Sequence, residues 1–142
     1  MKRDDAVSVR RAIQADLAAV AAIQAQSPEA AHWDPPDYLA HDFLVAVSGG
    51  QILGFAVARR LADGESELLN LAVRPDVRRL GIGRKLVAEL TSEYPGDLWL
   101  EVRESNLAGR KFYNALGFSE SGRRPEYYPE SYECAIVMNI HS

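Results

Sequence analysis

The chain has 142 residues, 47% of them apolar and 25% charged, the makeup of one globular domain with its own core. A net charge of -4 argues against general nucleic-acid binding through clustered cations and is compatible with a cationic partner such as an amine or a basic peptide. One cysteine, Cys134, and three scattered histidines, His32, His41 and His141, leave no internal disulfide and no metal-ligand spacing; no apolar run reaches the roughly 18 residues of a membrane span, and the N-terminus lacks a signal-peptide core, so a cytoplasmic protein is expected.

VSVRRAI (7–13) alternates and predicts a strand. Asp16 is expected to cap a helix through LAAVAAIQAQ, where Leu17, Val20 and Ile23 recur at helical spacing. Residues 27–36 read as a loop broken by prolines, and 37–42 as a short helix. FLVAV (43–47) and ILGFAVARRL (52–61) flank the turn SGGQ and predict a hairpin. A third strand, ELLNLAV (67–73), stops at Pro75.

Leu86, Val87, Leu90 and Tyr94 form a helical stripe that ends at Pro95-Gly96. DLWLEVR (97–103) follows as a strand, with Leu98, Leu100 and Val102 on one face and Trp99, Glu101 and Arg103 on the other. Ser105 is expected to cap a helix that stops at Gly117. FSESGR and ECAIVMNI predict two final strands joined by RPEYYPES. The order β-α-α-β-β-β-α-β-α-β-β predicts a single α/β domain, a mixed sheet of about seven strands with about four helices packed on it.

The segment VRRLGIGRK joins the third strand to a helix. A helix N-terminus carries partial positive charge and unpaired N–H groups. Gly81 and Gly83 let a ligand approach the backbone, and Arg78, Arg79, Arg84 and Lys85 add cations. The site suits a diphosphate. It is neither a Walker loop nor a dinucleotide fingerprint, whose third glycine is here Leu86. Further on, Asn106, Arg110 and Tyr113 fall on one face of the next helix. Leu107, Ala108, Phe112, Ala115 and Leu116 are expected to face the core instead.

ELLNLAVRPDVRRLGIGRKL, LWLEVRESNLAGRKFYNALGF and EYYPESYECAIVM together resemble the GCN5-related N-acetyltransferase superfamily, and more narrowly its RimI-type protein N-terminal acetyltransferases. The resemblance spans residues 7–140. It implies acetyl-CoA as the acyl donor, with no metal, and a protein N-terminus as the acceptor, ribosomal protein S18 being the one this group acetylates. Arg78-x-x-Gly81-x-Gly83 matches the superfamily's pyrophosphate pattern, so residues 78–84 (Arg78, Arg79, Leu80, Gly81, Ile82, Gly83, Arg84) are expected to hold the cofactor with Asn106, Arg110 and Tyr113. Leu71, Ala72 and Val73 should line its acyl end, with Val73 N–H facing the carbonyl oxygen. In the family this strand bulges and splays from the next.

Acetyl transfer to an amine requires a base, an oxyanion donor and an acid for the departing thiolate. The resemblance makes Glu101 the base, acting through a water, and Tyr113 the acid. An α-amino group has a pKa about 2.5 units below a lysine side chain, roughly 3.4 kcal/mol less deprotonation work, which suits a carboxylate base. Trp33, Asn70, Tyr127 and Tyr128 are expected to meet the acceptor, the two tyrosines offering ring faces and hydroxyls to a peptide. His32 stands where that group has a proline before the tryptophan. The final hairpin is shorter than in the RimI group and carries Cys134 where an acidic residue is usual. Two alternatives stay open: the same chemistry on a lysine or small-molecule amine, and a CoA-binding module without catalysis. No oligomeric state is read from the residues.

Overall fold

The computed structural model describes residues 6–27, 33–78, 80–128 and 133–141, with backbone alone over 124–128 and at Glu133. Seven strands form one sheet in the order β1-β2-β3-β4-β5-β7-β6. They are β1 (Ser8–Arg11), β2 (Asp42–Ser48), β3 (Gln51–Ala62), β4 (Glu65–Val73), β5 (Asp97–Arg103), β6 (Ser119–Tyr128) and β7 (Glu133–His141). Among the described residues three α-helices accompany them, α1 (Leu17–Ala25), α2 (Ile82–Glu93) and α3 (Leu107–Ala115). Every neighbouring pair is antiparallel except β4 and β5.

That parallel pair is short. Glu65, Ser66 and Glu67 lie beside Asp97, Leu98 and Trp99. Beyond them β4 continues to Val73 and β5 to Arg103 without pairing to each other. The two strands therefore splay, as the resemblance implies. The expected bulge is present too: the register against β3 steps from Val57/Asn70 to Ala58/Leu68, which leaves Leu69 as the extra residue.

The sheet buries both faces. On one, Leu71, Val73, Leu98, Leu100 and Val102 pack with Ile82, Leu86 and Leu90 of α2 and Tyr113 of α3. On the other, Val20 and Ile23 of α1 and Tyr38 pack against Phe43, Phe55, Val57 and Ala72. The alternation read in DLWLEVR holds, so Trp99, Glu101 and Arg103 project on the α1 side. Among the described residues no helix is long and apolar enough to cross a membrane.

Four local expectations change. The strand at 7–13 is four residues long, because Asp16 folds the chain back after it: its carboxylate accepts Ile13 N–H at 2.8 Å and forms paired hydrogen bonds with Arg10 at 2.8 and 3.0 Å. Asp16 therefore closes a 3-10 turn (Gln14–Asp16) and makes no side-chain cap on α1. The short helix near 37–42 is a 3-10 stretch, Pro35–Ala40, opened by its two prolines. Asn106, rather than Ser105, caps α3, its Oδ1 accepting Gly109 N–H at 2.9 Å.

The α3 faces match the expected ones only in part: Phe112 and Leu116 pack against the core as expected, whereas Leu107, Ala108 and Ala115 do not. Leu107 is 62% exposed and Tyr113 only 7%. Gly109 and Tyr113 face inward, with Asn106, Arg110, Phe112 and Leu116 half-buried and Ala108 and Ala115 exposed. The stripe of Asn106, Arg110 and Tyr113 thus shares with Phe112 and Leu116 the seam by which α3 meets the sheet.

Candidate functional site

A hollow of about 340 Å³ lies between the start of α2 and the end of α3, lined by Val73, Arg78, Gly81, Ile82, Gly83, Arg84 and Leu116 among others. Gly81 is the N-cap of α2 and sits at φ +80°, which a side chain disfavours. A Cβ there would meet nothing within 4 Å, so its backbone conformation is what demands glycine. Gly83 is glycine for another reason: a Cβ would stand 3.0 Å from Leu116 Cδ2, where α2 and α3 touch. Among the described residues no side chain caps α2, whereas α3 is capped by Asn106. The first N–H groups of α2 therefore face the hollow as anion donors.

The cations around the hollow are held in different ways. Arg78 Nε donates to Val73 O at 3.3 Å and its Nη2 to Ser27 Oγ at 3.4 Å, so this guanidinium ties β4 to the end of α1. Arg84 reaches across to Ala115 O at 2.5 Å and bridges the hollow's rim. Leu80 is 59% exposed beside them. Arg110 is bound to Glu120 at 2.9 and 3.2 Å and to Glu104 O at 2.9 Å, which clamps α3 to β6. Arg79 lies outside the described residues.

The floor of the hollow is the splayed end of β4. Arg74 N–H donates to Leu53 O at 2.8 Å. In an antiparallel ladder bonded pairs alternate, so Ala72 turns its N–H toward β3 while Leu71 and Val73 turn theirs toward the gap left by β5. Leu71 N–H is taken by Asn70 Oδ1 at 3.0 Å. Val73 N–H is the donor directed into the splay.

On the opposite face of the sheet a second hollow, about 490 Å³, is lined by Arg59, Glu65, Glu67, Trp99, Glu101 and Val137 among others. Arg59 is paired with Glu67 at 2.7 Å. Glu101 thus stands half-buried at the splayed strand β5, on the side away from α2. Tyr113 packs edge-on to Phe112 and Phe118, with ring centroids 5.3 and 5.9 Å away.

Of the residues expected to meet the acceptor, Trp33 is 45% exposed beside the α1 face. Asn70 is 2% exposed and locked among side chains. The side chains of Tyr127 and Tyr128 lie outside the described residues, and their backbone belongs to β6. Sequence reasoning missed Tyr38 and Gln24, whose polar atoms meet Asn70 in the core. A tyrosine in a proline-opened turn gave no hint of this. Among the described residues no group of three or more ligating side chains could hold a metal.

A parallel strand pair that splays beside an uncapped helix N-terminus, within a seven-stranded mixed sheet, defines the N-acetyltransferase fold class. The chain belongs to the Acetyltransferase (GNAT) family, whose profile matches residues 12–118. It is 42% identical over 97 residues to the [Ribosomal protein bS18]-alanine N-acetyltransferase of Escherichia coli K12, a stretch that covers 64% of this chain and 65% of that relative. Among solved structures, the ribosomal-protein-S18-alanine N-acetyltransferase from Escherichia coli superposes with a TM-score of 0.72 at 30% identity, over 95% of this chain and 93% of that one. Ard1 from Thermoplasma volcanium gives 0.78 at 26% identity, over 94% and 96%.

Proposed function

We propose that the protein transfers the acetyl group of acetyl-CoA to the α-amino group of a protein N-terminus, with ribosomal protein S18 as its candidate acceptor in the cytoplasm. The observation that carries this reading is the placement of two hollows on opposite faces of one splayed strand pair, a cationic one beside the α2 N-terminus and a carboxylate-lined one at Glu101. The likeness to acetyltransferases that act on a ribosomal protein supports the choice of acceptor.

The residues fit the donor. The uncapped N–H groups of Ile82, Gly83 and Arg84 suit the pyrophosphate, and Val73, Ile82 and Leu116 give the hollow an apolar wall for the arm. Acetyl-CoA supplies an acyl carbon activated as a thioester. Val73 N–H offers a fixed donor to a carbonyl oxygen in the splay, worth most where water is excluded. Glu101 receives the proton of the attacking amine, through a water, at a carboxylate oxygen. Tyr113 Oη holds the proton that the departing sulfur needs. Asn106 caps α3 through Oδ1, and its amide is the candidate contact for the arm. Trp33 and the Tyr127-Tyr128 segment are the candidates for meeting the acceptor.

Thiol release from acetyl-CoA tests the proposal against peptides with free N-termini, the start of S18 among them, the same peptides blocked but carrying lysine, and polyamines. Turnover confined to free N-termini is expected. Turnover only on blocked lysine peptides or polyamines overturns the acceptor, and tight CoA binding with no turnover on any acceptor overturns the enzyme.

A further inference from the structure

We propose that Asn70 is a positioning residue that selects which backbone N–H of β4 faces the acyl carbonyl and couples that choice to the acceptor-side segment at Trp33. The inference rests on the acetyl-transfer reading above.

The bulge at Leu69 makes this possible. Leu68 packs on the α2 side of the sheet, whereas Leu69 belongs to the α1-side core and the Asn70 side chain reaches Tyr38 and Gln24 there. An unbulged strand would turn Asn70 to the α2 side with Leu68. The extra residue therefore delivers the amide into the α1-side core.

There both ends of the amide are used. Asn70 Oδ1 accepts the N–H of Leu71, one of the two donors that the ladder turns toward the splay. Nδ2 donates to Tyr38 Oη at 2.9 Å and to Gln24 Oε1 at 3.2 Å. The Tyr38 hydroxyl donates to the same Gln24 Oε1 at 2.5 Å. Gln24 Nε2 then donates to Trp33 O at 2.8 Å. Asn70, Gln24 and Tyr38 are 2%, 6% and 0% exposed, so leaving a partner unmade is costly in this core. Burial pushes the Tyr38 phenol above its ordinary range, against the opposing hydrogen bond from Asn70, which keeps it a neutral donor.

Two consequences follow. With Leu71 N–H occupied from within the strand, Val73 N–H is the donor left for an acyl oxygen, and the acyl group has one register in the cleft. The chain of bonds also runs from that strand through α1 to the backbone of Trp33, so the acceptor-side segment is ordered by the same side chain.

The test compares Asn70→Ala and Tyr38→Phe with the parent protein, in activity and in amide exchange. Loss of the Leu71 cap should speed exchange of the Leu71 amide in Asn70→Ala at least tenfold more than that of core amides in β3. kcat should fall roughly 10- to 100-fold, the scale of a misplaced reacting group, while KM for acetyl-CoA stays within twofold. Tyr38→Phe keeps the ring and should raise the acceptor KM at least fivefold with KM for acetyl-CoA within twofold. A folded Asn70→Ala protein with parental kcat and parental Leu71 exchange overturns the proposal. So does a loss in both variants that follows the fall in Tm with both KM values moving together. If Asn70→Ala does not fold, Tyr38→Phe decides: an unchanged acceptor KM overturns the coupling. Should the parent protein acetylate no peptide, the acceptor reading fails by itself, and the Leu71 exchange result still decides the role of Asn70.

Discussion

Gly96 and Gly64 are in backbone contact: a Cβ on Gly96 would stand 2.7 Å from Gly64 Cα and overlap its carbonyl oxygen, the same oxygen that accepts Asp97 N–H at 2.8 Å. This contact fixes where β5 begins beside β4, since Glu65 and Asp97 are the first paired residues. The short pairing, and hence the splay, starts from it. Gly96 also sits at φ +126°, a conformation that strains any side chain. Gly96→Ala should cost about 3 kcal/mol and weaken acetyl-CoA binding. Thermal unfolding with calorimetric titration reads both, and an unchanged Tm would contradict the role given to this contact.

The two glycines of the loop should respond differently. Gly81→Ala meets only backbone strain at φ +80°, about 1–2 kcal/mol. Gly83→Ala pushes Leu116, whose Cδ2 would be 3.0 Å from the new Cβ, toward the hollow. It should therefore raise the acetyl-CoA KM several-fold with a smaller loss of Tm. Equal effects on Tm and KM in both variants would show that α2–α3 packing does not shape the hollow.

Glu101→Gln should leave the fold intact, since the side chain lines an open hollow, and lower kcat about 10²–10⁴-fold. Tyr113→Phe retains the buried ring and its contacts with Phe112 and Phe118, so the variant should still fold while kcat falls. Circular dichroism melts beside steady-state rates check both. Full activity in either variant removes that residue from the proton path.

Arg10 beside Asp16, aided by Ile13 N–H, holds the Asp16 carboxyl below the ordinary range against an opposing effect of burial. A lowered folded pKa means stability that is fully present above the unfolded value of about 3.9 and is lost as the pH falls through the folded value. Asp16→Asn should cost about 1–2 kcal/mol at pH 7, since Arg10 is half-exposed and screened. The gap from the parent should begin to narrow below about pH 4 and go on narrowing as the pH falls toward the folded value. Denaturant melts at pH 7 and at a series of pH values below about 4 measure it, and a gap of constant size across that series would assign the effect to shape instead of charge.

β5 and α2 are legible in the sequence because their periodicities are clean. DLWLEVR alternates in sequence and in burial, and Leu86, Val87 and Leu90 form the buried stripe of α2. Gly81 and Gly83 were legible as a pair, but their separate reasons were not, because one depends on φ and the other on Leu116 across a helix contact. The core face of α3 is legible only at Phe112 and Leu116, for a similar cause. A stripe holding Asn, Arg and Tyr looks polar, yet Asn106 is used as a cap, Arg110 is bound to Glu120, and the Tyr113 ring is buried as an apolar group. The bulge at Leu69 carries no signal in residue type, so the face that Asn70 occupies could not be read from alternation. The splay at Glu101 depends on where two strands stop pairing, which composition does not encode.

The central claim is that the α-amino group is the acceptor. The most direct measurement is to incubate the protein with acetyl-CoA and one peptide that carries both a free N-terminus and an internal lysine, then locate the acetyl group by fragmentation mass spectrometry. Acetyl found on the N-terminal nitrogen, and lost when Glu101 is replaced by glutamine, is the predicted result. Acetyl found on the lysine nitrogen, with the N-terminus left free, would contradict the account.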